Sequence, residues 1–157
     1  MATPPTVMRV QPFEARVQAL IARLDALQIG LYGEACCHLD PPSVLAAPNV
    51  YMIGVECEGA LVGIGAIKLQ IGYAEIKRMF VDDAFRGRGF ADLIIGELEN
   101  HARTNGYGDI LLETGQKQGA AIAFYARHHY SLCEPFGSYE TNHVSVFMKK
   151  RLTTAPT

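Results

Sequence analysis

The chain passes from a predicted strand to a predicted helix through Asp82-Asp83-Ala84-Phe85-Arg86-Gly87-Arg88-Gly89-Phe90-Ala91. Two glycines spaced by one residue allow a sharp turn, because no Cβ atom obstructs the backbone. The N–H groups of the following helical turn then point outward and, together with the helix dipole, attract an anion. Arg86 and Arg88 add positive charge there. The segment predicts an anion site, although the same spacing also suits a plain strand-to-helix turn with exposed arginines.

The elements on either side of this turn predict a crossover. Residues 74–81 have the pattern of a strand, residues 89–105 that of a helix with one apolar stripe, and residues 109–114 that of a short apolar strand. A strand, a helix and a second strand in this order place the two strands parallel. The centre of the fold is therefore predicted to contain a parallel pair.

The remaining segments complete a mixed α/β domain whose sheet begins as an antiparallel meander. Residues 51–56 and 61–71 are β-rich, and Glu58-Gly59-Ala60 between them predicts a hairpin. The other predicted elements are a strand over 6–10, an amphipathic helix that ends near Gly30, a short helix opened by Pro41-Pro42-Ser43, a helix over 118–129 and a final strand over 144–149. We predict the order β-α-α-β-β-β-α-β-α-β-β in a single domain over residues 1–157, with flexible ends at 1–5 and 151–157.

Composition excludes several classes of protein. The 157 residues are 49% hydrophobic and 19% charged, which is typical of a globular domain. A net charge of −2 argues against a general nucleic-acid binder. The apolar stretches are far shorter than the roughly 20 residues of a membrane span, and Met1-Ala2-Thr3-Pro4-Pro5 lacks the pattern of a signal peptide. We expect a cytoplasmic protein with no nucleic-acid or membrane partner.

The four cysteines predict buried free thiols in a reducing compartment. Adjacent cysteines rarely pair with each other, the chain has no CxxC motif, and Cys36-Cys37-His38 supplies at most part of a metal site. Cys133 lacks an evident base, which argues against an acyl-accepting nucleophile. We therefore expect no metal and no covalent acyl-enzyme.

Two common phosphate motifs do not fit the glycine-rich turn. A P-loop needs a Lys-Ser/Thr pair after its glycines, which is missing here. The dinucleotide motif GxGxxG needs a third glycine where the chain has Asp92.

The turn instead resembles the (Q/R)xxGx(G/A) signature of the GNAT N-acetyltransferases, through Arg86-x-x-Gly89-x-Ala91. Ala74-Glu75-Ile76 lies eleven residues before Arg86, as in the fourth strand of that family, and Ala121-x-x-Phe124-Tyr125 matches the helix after its fifth strand. The resemblance covers roughly residues 50–150. The segments Cys133–Gly137 and Ser145–Lys150 are similar to a bacterial subgroup of small-molecule acetyltransferases. The resemblance to the GNAT family implies the acyl-CoA N-acyltransferase fold, a mostly antiparallel sheet with helices on both faces.

The resemblance also implies how acetyl-coenzyme A is bound. Backbone amides of the turn hold its pyrophosphate. The strand that ends at Val81 parts from its parallel neighbour, so that the pantetheine arm can pair with the exposed edge. A backbone N–H near Met79 to Val81 is the implied oxyanion donor, and Gln118 stands where the family often has Asn. The implied contacts are Met79, Phe80, Val81, Arg86, Gly87, Arg88, Gly89, Phe90, Ala91, Gln118 and Tyr125.

The implied reaction moves an acetyl group from coenzyme A to a primary amine by direct transfer. Only about one lysine-type amine in 10³ is neutral at pH 7, so a base assists the attack. Glu75 matches the strand glutamate that is the base in the histone-modifying branch of the family, and Tyr125 matches the tyrosine that acts as acid toward the thiolate. As alternatives, Glu75 is an exposed strand carboxylate paired with Lys77 or Arg78, and Tyr125 is a core aromatic. Glu34, His38 and His143 remain as other candidate bases.

The expected acceptor is the amine of a small molecule. Two alternatives stay open, a protein or peptide acceptor and an acyl-CoA-binding sensor without turnover. A homodimer through the C-terminal strands is compatible with the resemblance.

Overall fold

The computed structural model describes residues 3–36 and 39–153, which form a seven-stranded sheet in the order β1-β2-β3-β4-β5-β7-β6. Neighbouring strands are antiparallel except for β4 and β5, which are parallel. The strands are β1 (Thr6–Arg9), β2 (Val50–Cys57), β3 (Ala60–Leu69), β4 (Ala74–Val81), β5 (Asp109–Gly115), β6 (Ser131–Leu132) and β7 (Ser145–Arg151).

Four α-helices within the described residues cover both faces of this sheet, each with its own apolar core. On one face lie α1 (Ala15–Tyr32) and α2 (Pro42–Leu45). On the other face lie α3 (Phe90–Thr104) and α4 (Gly119–Arg127). The predicted order of elements and the predicted parallel crossover through α3 are both confirmed.

Helix α1 is longer than the sequence predicted. Its apolar positions at helical spacing bury Val17, Leu20, Ile21 and Leu24, as expected. The predicted end near Gly30 is wrong, because a glycine inside a helix costs only about 1 kcal/mol and does not by itself stop it. The helix ends at Tyr32, and the capping residue Gly33 has a φ of +79°. The two residues beyond Gly30 bring Tyr32 to the edge of the cavity described below.

A bulge interrupts β4 at Arg78. Ala66 of β3 pairs with Lys77, whereas Ile64, two residues earlier, pairs with Phe80, three residues later. The extra residue on β4 is accommodated by Arg78, whose φ of +58° is unusual for a residue other than glycine.

The bulge changes which side chains share a face of the sheet. In a regular strand, alternate side chains point to opposite faces. Glu75 and Lys77 lie on the α1 face, and after the bulge Phe80 joins the core of that same face. Met79 instead packs toward α3. The bulge thus lets β4 contribute two charged side chains and then an aromatic one to the α1 face.

The parallel pair separates soon after it begins. Ala74–Ile76 of β4 pair with Ile110–Leu112 of β5, and the pairing does not continue beyond them. β5 remains paired with β7 as far as Gly115, while β4 remains paired with β3 as far as Val81. A wedge therefore opens between residues 77–81 and 113–115, as the resemblance implied.

Candidate active site

A cavity of about 80 Å³, open to solvent, lies on the α1 face where β4 and β5 separate. Gln28 and Tyr32 of α1 form one wall, and Tyr139, Val144 and Ser145 form the wall opposite. The floor is polar. Its charged side chains are Asp40, Glu75, Lys77, Arg78 and Glu113.

Glu75 is the most deeply placed carboxylate of this cavity, with only 3% of its surface exposed. Its Oε2 atom accepts a hydrogen bond of 2.7 Å from the Tyr139 hydroxyl and lies 3.3 Å from Nζ of Lys77. Its other oxygen, Oε1, makes no hydrogen bond with any described residue. The alternative of an exposed strand carboxylate is wrong about exposure, since Glu75 is buried, but its expected pairing with Lys77 is confirmed. One oxygen of the carboxylate is held and the other is available.

Lys77 balances part of the negative charge around Glu75. Its Nζ donates to Oδ2 of Asp40 at 3.0 Å and to the Tyr139 hydroxyl at 3.4 Å, in addition to its contact with Glu75. Burial alone would lower the pKa of Lys77, but the Glu75 and Asp40 carboxylates outweigh that effect and raise it. Lys77 therefore stays charged and keeps the network together.

An aromatic cluster positions Tyr139 in the segment between β6 and β7. The rings of Tyr139 and Phe136 lie 5.1 Å apart edge to face, and Phe136 also contacts Tyr73 and Phe147. Burial and the neighbouring Glu75 carboxylate raise the pKa of Tyr139. Its hydroxyl thus stays protonated and donates to Glu75.

Arg78 connects the bulge of β4 to α1. Its Nη2 atom forms an ion pair with Asp25, and its side chain is only 4% exposed. Its Nε atom is buried and makes no hydrogen bond with the described residues. The pair fixes α1 against β4 at the cavity, and an arginine at positive φ next to a strand separation is typical of a functional site.

The glycine-rich turn has the geometry of an anion site. Gly87 and Gly89 have φ of +76° and +82°, and α3 begins at the next residue, Phe90. The first N–H groups of α3 have no carbonyl partner within the helix, so they are available to a ligand. Arg86 and Arg88 are exposed beside them. Arg88 is held over the Phe85 and Phe90 rings, at 5.2 and 5.3 Å.

Tyr125 lies on the opposite face of the sheet from Glu75, in the core beneath α3 and α4. Its ring packs edge to face on Phe124 and Tyr130, and burial raises the pKa of its hydroxyl. That hydroxyl makes no hydrogen bond with the described residues. Tyr125 thus has the packing of a core aromatic and an unpartnered donor, and its role as acid stays a prediction.

The other candidates are not at the cavity floor. Glu34 is exposed in a 3-10 turn, and His143 is exposed and borders a separate cavity. His38 and Cys37 lie outside the described residues. Cys57 and Cys133 are free thiols, and burial raises the pKa of the Cys133 thiol.

Gln118, in contrast, borders the cavity, where its Oε1 accepts a hydrogen bond of 3.4 Å from Tyr32.

Sequence reasoning did not single out Tyr139, Asp40 or Glu113. Tyr139 and Asp40 lie in segments without regular structure, where no periodicity points to a cavity. Glu113 lies on β5, and nothing in a short apolar strand marks one carboxylate as facing a site. Within the part of the chain that the structure describes, no group of three or more His, Cys, Asp or Glu side chains is suited to a metal ion, and no helix has the length and apolar character needed to cross a membrane.

Comparison with known proteins gives a consistent result. Residues 21–130 match the model of the acetyltransferase (GNAT) family. The chain is 36% identical over 149 residues to the IAA acetyltransferase of Azospirillum brasilense, covering 94% of this chain and 97% of that one.

Solved structures agree in fold. A protein of Klebsiella pneumoniae described as an acyl-CoA N-acyltransferase superposes with a TM-score of 0.81 at 35% identity, covering 95% of this chain and 98% of the other. The PaiA N-acetyltransferase of Thermoplasma acidophilum, solved in complex with coenzyme A, has a TM-score of 0.72 at 12% identity and covers 96% and 100%. The strand separation, the glycine-rich turn and these matches together place the chain in the acetyltransferase (GNAT) family, as an acyl-CoA-dependent N-acetyltransferase.

Proposed function

We propose that the protein transfers an acetyl group from acetyl-coenzyme A to a primary amine of a small molecule, with Glu75 as base and Tyr125 as acid. The observation that carries the proposal is the carboxylate of Glu75, which is buried at the floor of the cavity with Oε1 unpartnered among the described residues. Side chains of α1 and of Tyr139, Val144 and Ser145 line the cavity beside the charged residues, which favours a small acceptor over a protein surface.

The residues that would hold acetyl-coenzyme A fit such a ligand. The turn from Arg86 to Ala91 offers backbone N–H groups and two arginines for the pyrophosphate. The wedge between β4 and β5 leaves the edge of Met79 to Val81 without a strand partner on the β5 side, so an extended arm can pair there. Gln118 borders the same opening. When bound, acetyl-coenzyme A supplies an activated thioester.

Glu75 prepares the acceptor amine. The amine arrives protonated, and Oε1 of Glu75 accepts its proton, directly or through one water molecule. Tyr139 and Lys77 hold Oε2 of the same carboxylate, so that Oε1 points in a defined direction. The burial of Glu75 also strengthens the attraction between ammonium and carboxylate, since a buried charge is less screened by water.

Two donors then stabilise charge as the acetyl group moves. Backbone N–H groups near Met79 to Val81 are the donors for the developing oxyanion. Tyr125, whose raised pKa keeps its hydroxyl protonated, donates to the departing thiolate. Transfer is direct in this proposal, and Cys133 is a poor nucleophile because burial raises the pKa of its thiol.

The test is acetylation of a panel of small primary amines. The reaction is monitored through the free coenzyme A that it releases, which a thiol reagent detects. We expect Glu75→Gln to lower kcat/KM by about 10² or more while acetyl-coenzyme A still raises the Tm. Glu34→Gln, which changes an exposed glutamate outside the cavity, is the matched control and should keep wild-type rates. Turnover undiminished in Glu75→Gln would remove Glu75 from its role. A Tm shift without turnover on any amine would favour the acyl-CoA sensor.

A further inference from the structure

We infer that the acceptor site selects amines that carry a second positive charge, with the attacking amine at Glu75 and the second cationic group at Asp40. The inference rests on the proposed function, because it names the class of acceptor for the same cavity. Its basis is the balance of charged groups at the cavity floor, and in particular which of their atoms still have no partner.

Carboxylates outnumber cations around the cavity. Asp40, Glu75 and Glu113 line it, against Lys77 and Arg78. Arg78 is in turn paired with a further carboxylate, Asp25. The described side chains thus give the cavity a negative charge, which attracts cationic acceptors and repels anionic ones.

Lys77 cannot serve as an anchor for a ligand anion. An ammonium group has three N–H donors. Those of Lys77 have three partners within hydrogen-bonding distance, namely Asp40 at 3.0 Å, Glu75 at 3.3 Å and the Tyr139 hydroxyl at 3.4 Å. Its side chain is also only 9% exposed. A carboxylate on the acceptor would find no donor left on this lysine.

Two carboxylate oxygens remain for the acceptor. Lys77 and Tyr139 use Oε2 of Glu75, and Lys77 uses Oδ2 of Asp40. Neither Oε1 of Glu75 nor Oδ1 of Asp40 has a hydrogen-bond partner among the described residues. Because both carboxylates contact the same nitrogen, their bound oxygens are at most about 6 Å apart. The free oxygens belong to these same two carboxylates, and a short diamine with a hydrogen bond of about 3 Å at each end is long enough to link the two groups.

Arg78 supports the rival expectation, a carboxylate-bearing acceptor. Its guanidinium borders the cavity, and the one contact that it makes with a carboxylate is through Nη2. However, its Nε is sealed from solvent, and Asp25 already compensates its charge. The balance therefore favours the dication.

The experiment compares three acceptors of equal chain length and different charge, 1,4-diaminobutane, n-butylamine and 4-aminobutanoate. We expect kcat/KM for the diamine to exceed that for butylamine by roughly tenfold or more, the effect of one added charge-assisted hydrogen bond. The amino acid should fall below butylamine. The ratio of kcat/KM for the diamine to that for butylamine should decrease at high salt, since salt screens the attraction between the second ammonium group and the carboxylates of the open cavity.

Two variants locate the effect. Asp40→Asn should bring the diamine within about twofold of butylamine, because it removes the second anchor. Asp109→Asn, which changes a carboxylate paired with Arg151 at the far end of β5, should keep the wild-type ratio. Equal rates for the diamine and butylamine in the wild type would overturn the inference. A preference for 4-aminobutanoate would also overturn it, and would indicate that Arg78 binds the carboxylate of the acceptor.

A binding measurement separates this inference from the proposed function. The same three amines are added in the presence of coenzyme A, and the rise in Tm is recorded. A rise specific to the diamine, without turnover, would support the charge selection and contradict the proposed reaction. No greater rise with the diamine than with butylamine would overturn the charge selection even if all three amines were acetylated.

Discussion

Removing one hydroxyl group, in the variant Tyr139→Phe, tests how the base is held. The lost interaction is an O–H···O hydrogen bond of 2.7 Å to a carboxylate whose side chain is 4% exposed. Hydrogen bonds to charged groups contribute about 1.5–3 kcal/mol. Since about 1.4 kcal/mol corresponds to tenfold in rate, we expect kcat/KM to fall by roughly 10- to 100-fold if Glu75 must be held for proton transfer.

The assay is release of free coenzyme A with the best acceptor of the amine panel. Tyr73→Phe is the matched control, because Tyr73 belongs to the same aromatic cluster and keeps its ring against Phe136. We expect Tyr73→Phe to retain wild-type kcat/KM. A similar loss in both variants would indicate that the cluster as a whole, and not the hydrogen bond to Glu75, accounts for the effect.

A double-mutant cycle with Glu75→Gln identifies the route by which Tyr139 acts. If Tyr139 works through Glu75, the double variant should be no slower than Glu75→Gln alone, so that the two losses do not add. Additive losses would contradict this route, because Tyr139 would then contribute without Glu75. Urea unfolding of each variant shows whether the fold is retained, with a decrease of about 1–3 kcal/mol expected for Tyr139→Phe.

Three further predictions concern the turn and the core. Gly89→Ala puts a side chain at φ +82°. We expect a loss of about 1 kcal/mol of stability and a smaller rise in Tm with acetyl-coenzyme A. The control Gly30→Ala, whose Cβ would have open space, should leave that rise in Tm unchanged. Glu99→Gln removes the charged partner of Lys150, whose Nζ donates to Glu99 at 3.0 Å, and should lower the free energy of unfolding by about 2 kcal/mol. The exposed Arg151→Gln should lower it by only about 0.5 kcal/mol. Burial and the Glu99 carboxylate raise the pKa of Tyr130 in the folded state. Its contribution to stability is thus complete below about pH 10 and declines above it by about 1.4 kcal/mol per pH unit. Tyr130→Phe should reduce that slope in denaturant titrations between pH 9 and 11.

Sequence periodicity was sufficient for most of the fold. The strand over Ala74–Val81 and the helix that follows it differ little between prediction and structure, because their apolar positions carry the period of the element that they form. The end of α1 was misplaced because the sequence has a glycine at both 30 and 33 and does not show which of them adopts a positive φ. Only the backbone conformation at Gly33, with its positive φ, distinguishes the glycine that ends the helix.

The site was predictable where local chemistry is enough. The turn from Arg86 to Ala91 needs only glycines, a helix start and nearby arginines, all within ten residues. Glu75 was found from its position before that turn, but its burial and its partners were not. Those depend on Asp40 and Tyr139, which lie 35 residues before and 64 residues after it in the chain, in segments without periodicity.

The order of elements, the parallel crossover and the anion-binding turn follow from the sequence alone, because each depends on neighbouring residues and on spacings of 2 or 3.6. Which oxygen of Glu75 is held and which faces the cavity was decided only by tertiary structure. The bulge at Arg78 and the separation of β4 from β5 bring α1, residue 40 and the segment before β7 around one carboxylate. These partners stabilise the buried Glu75 carboxylate, because a charge that is removed from water needs opposite charges and hydrogen-bond donors from the protein itself.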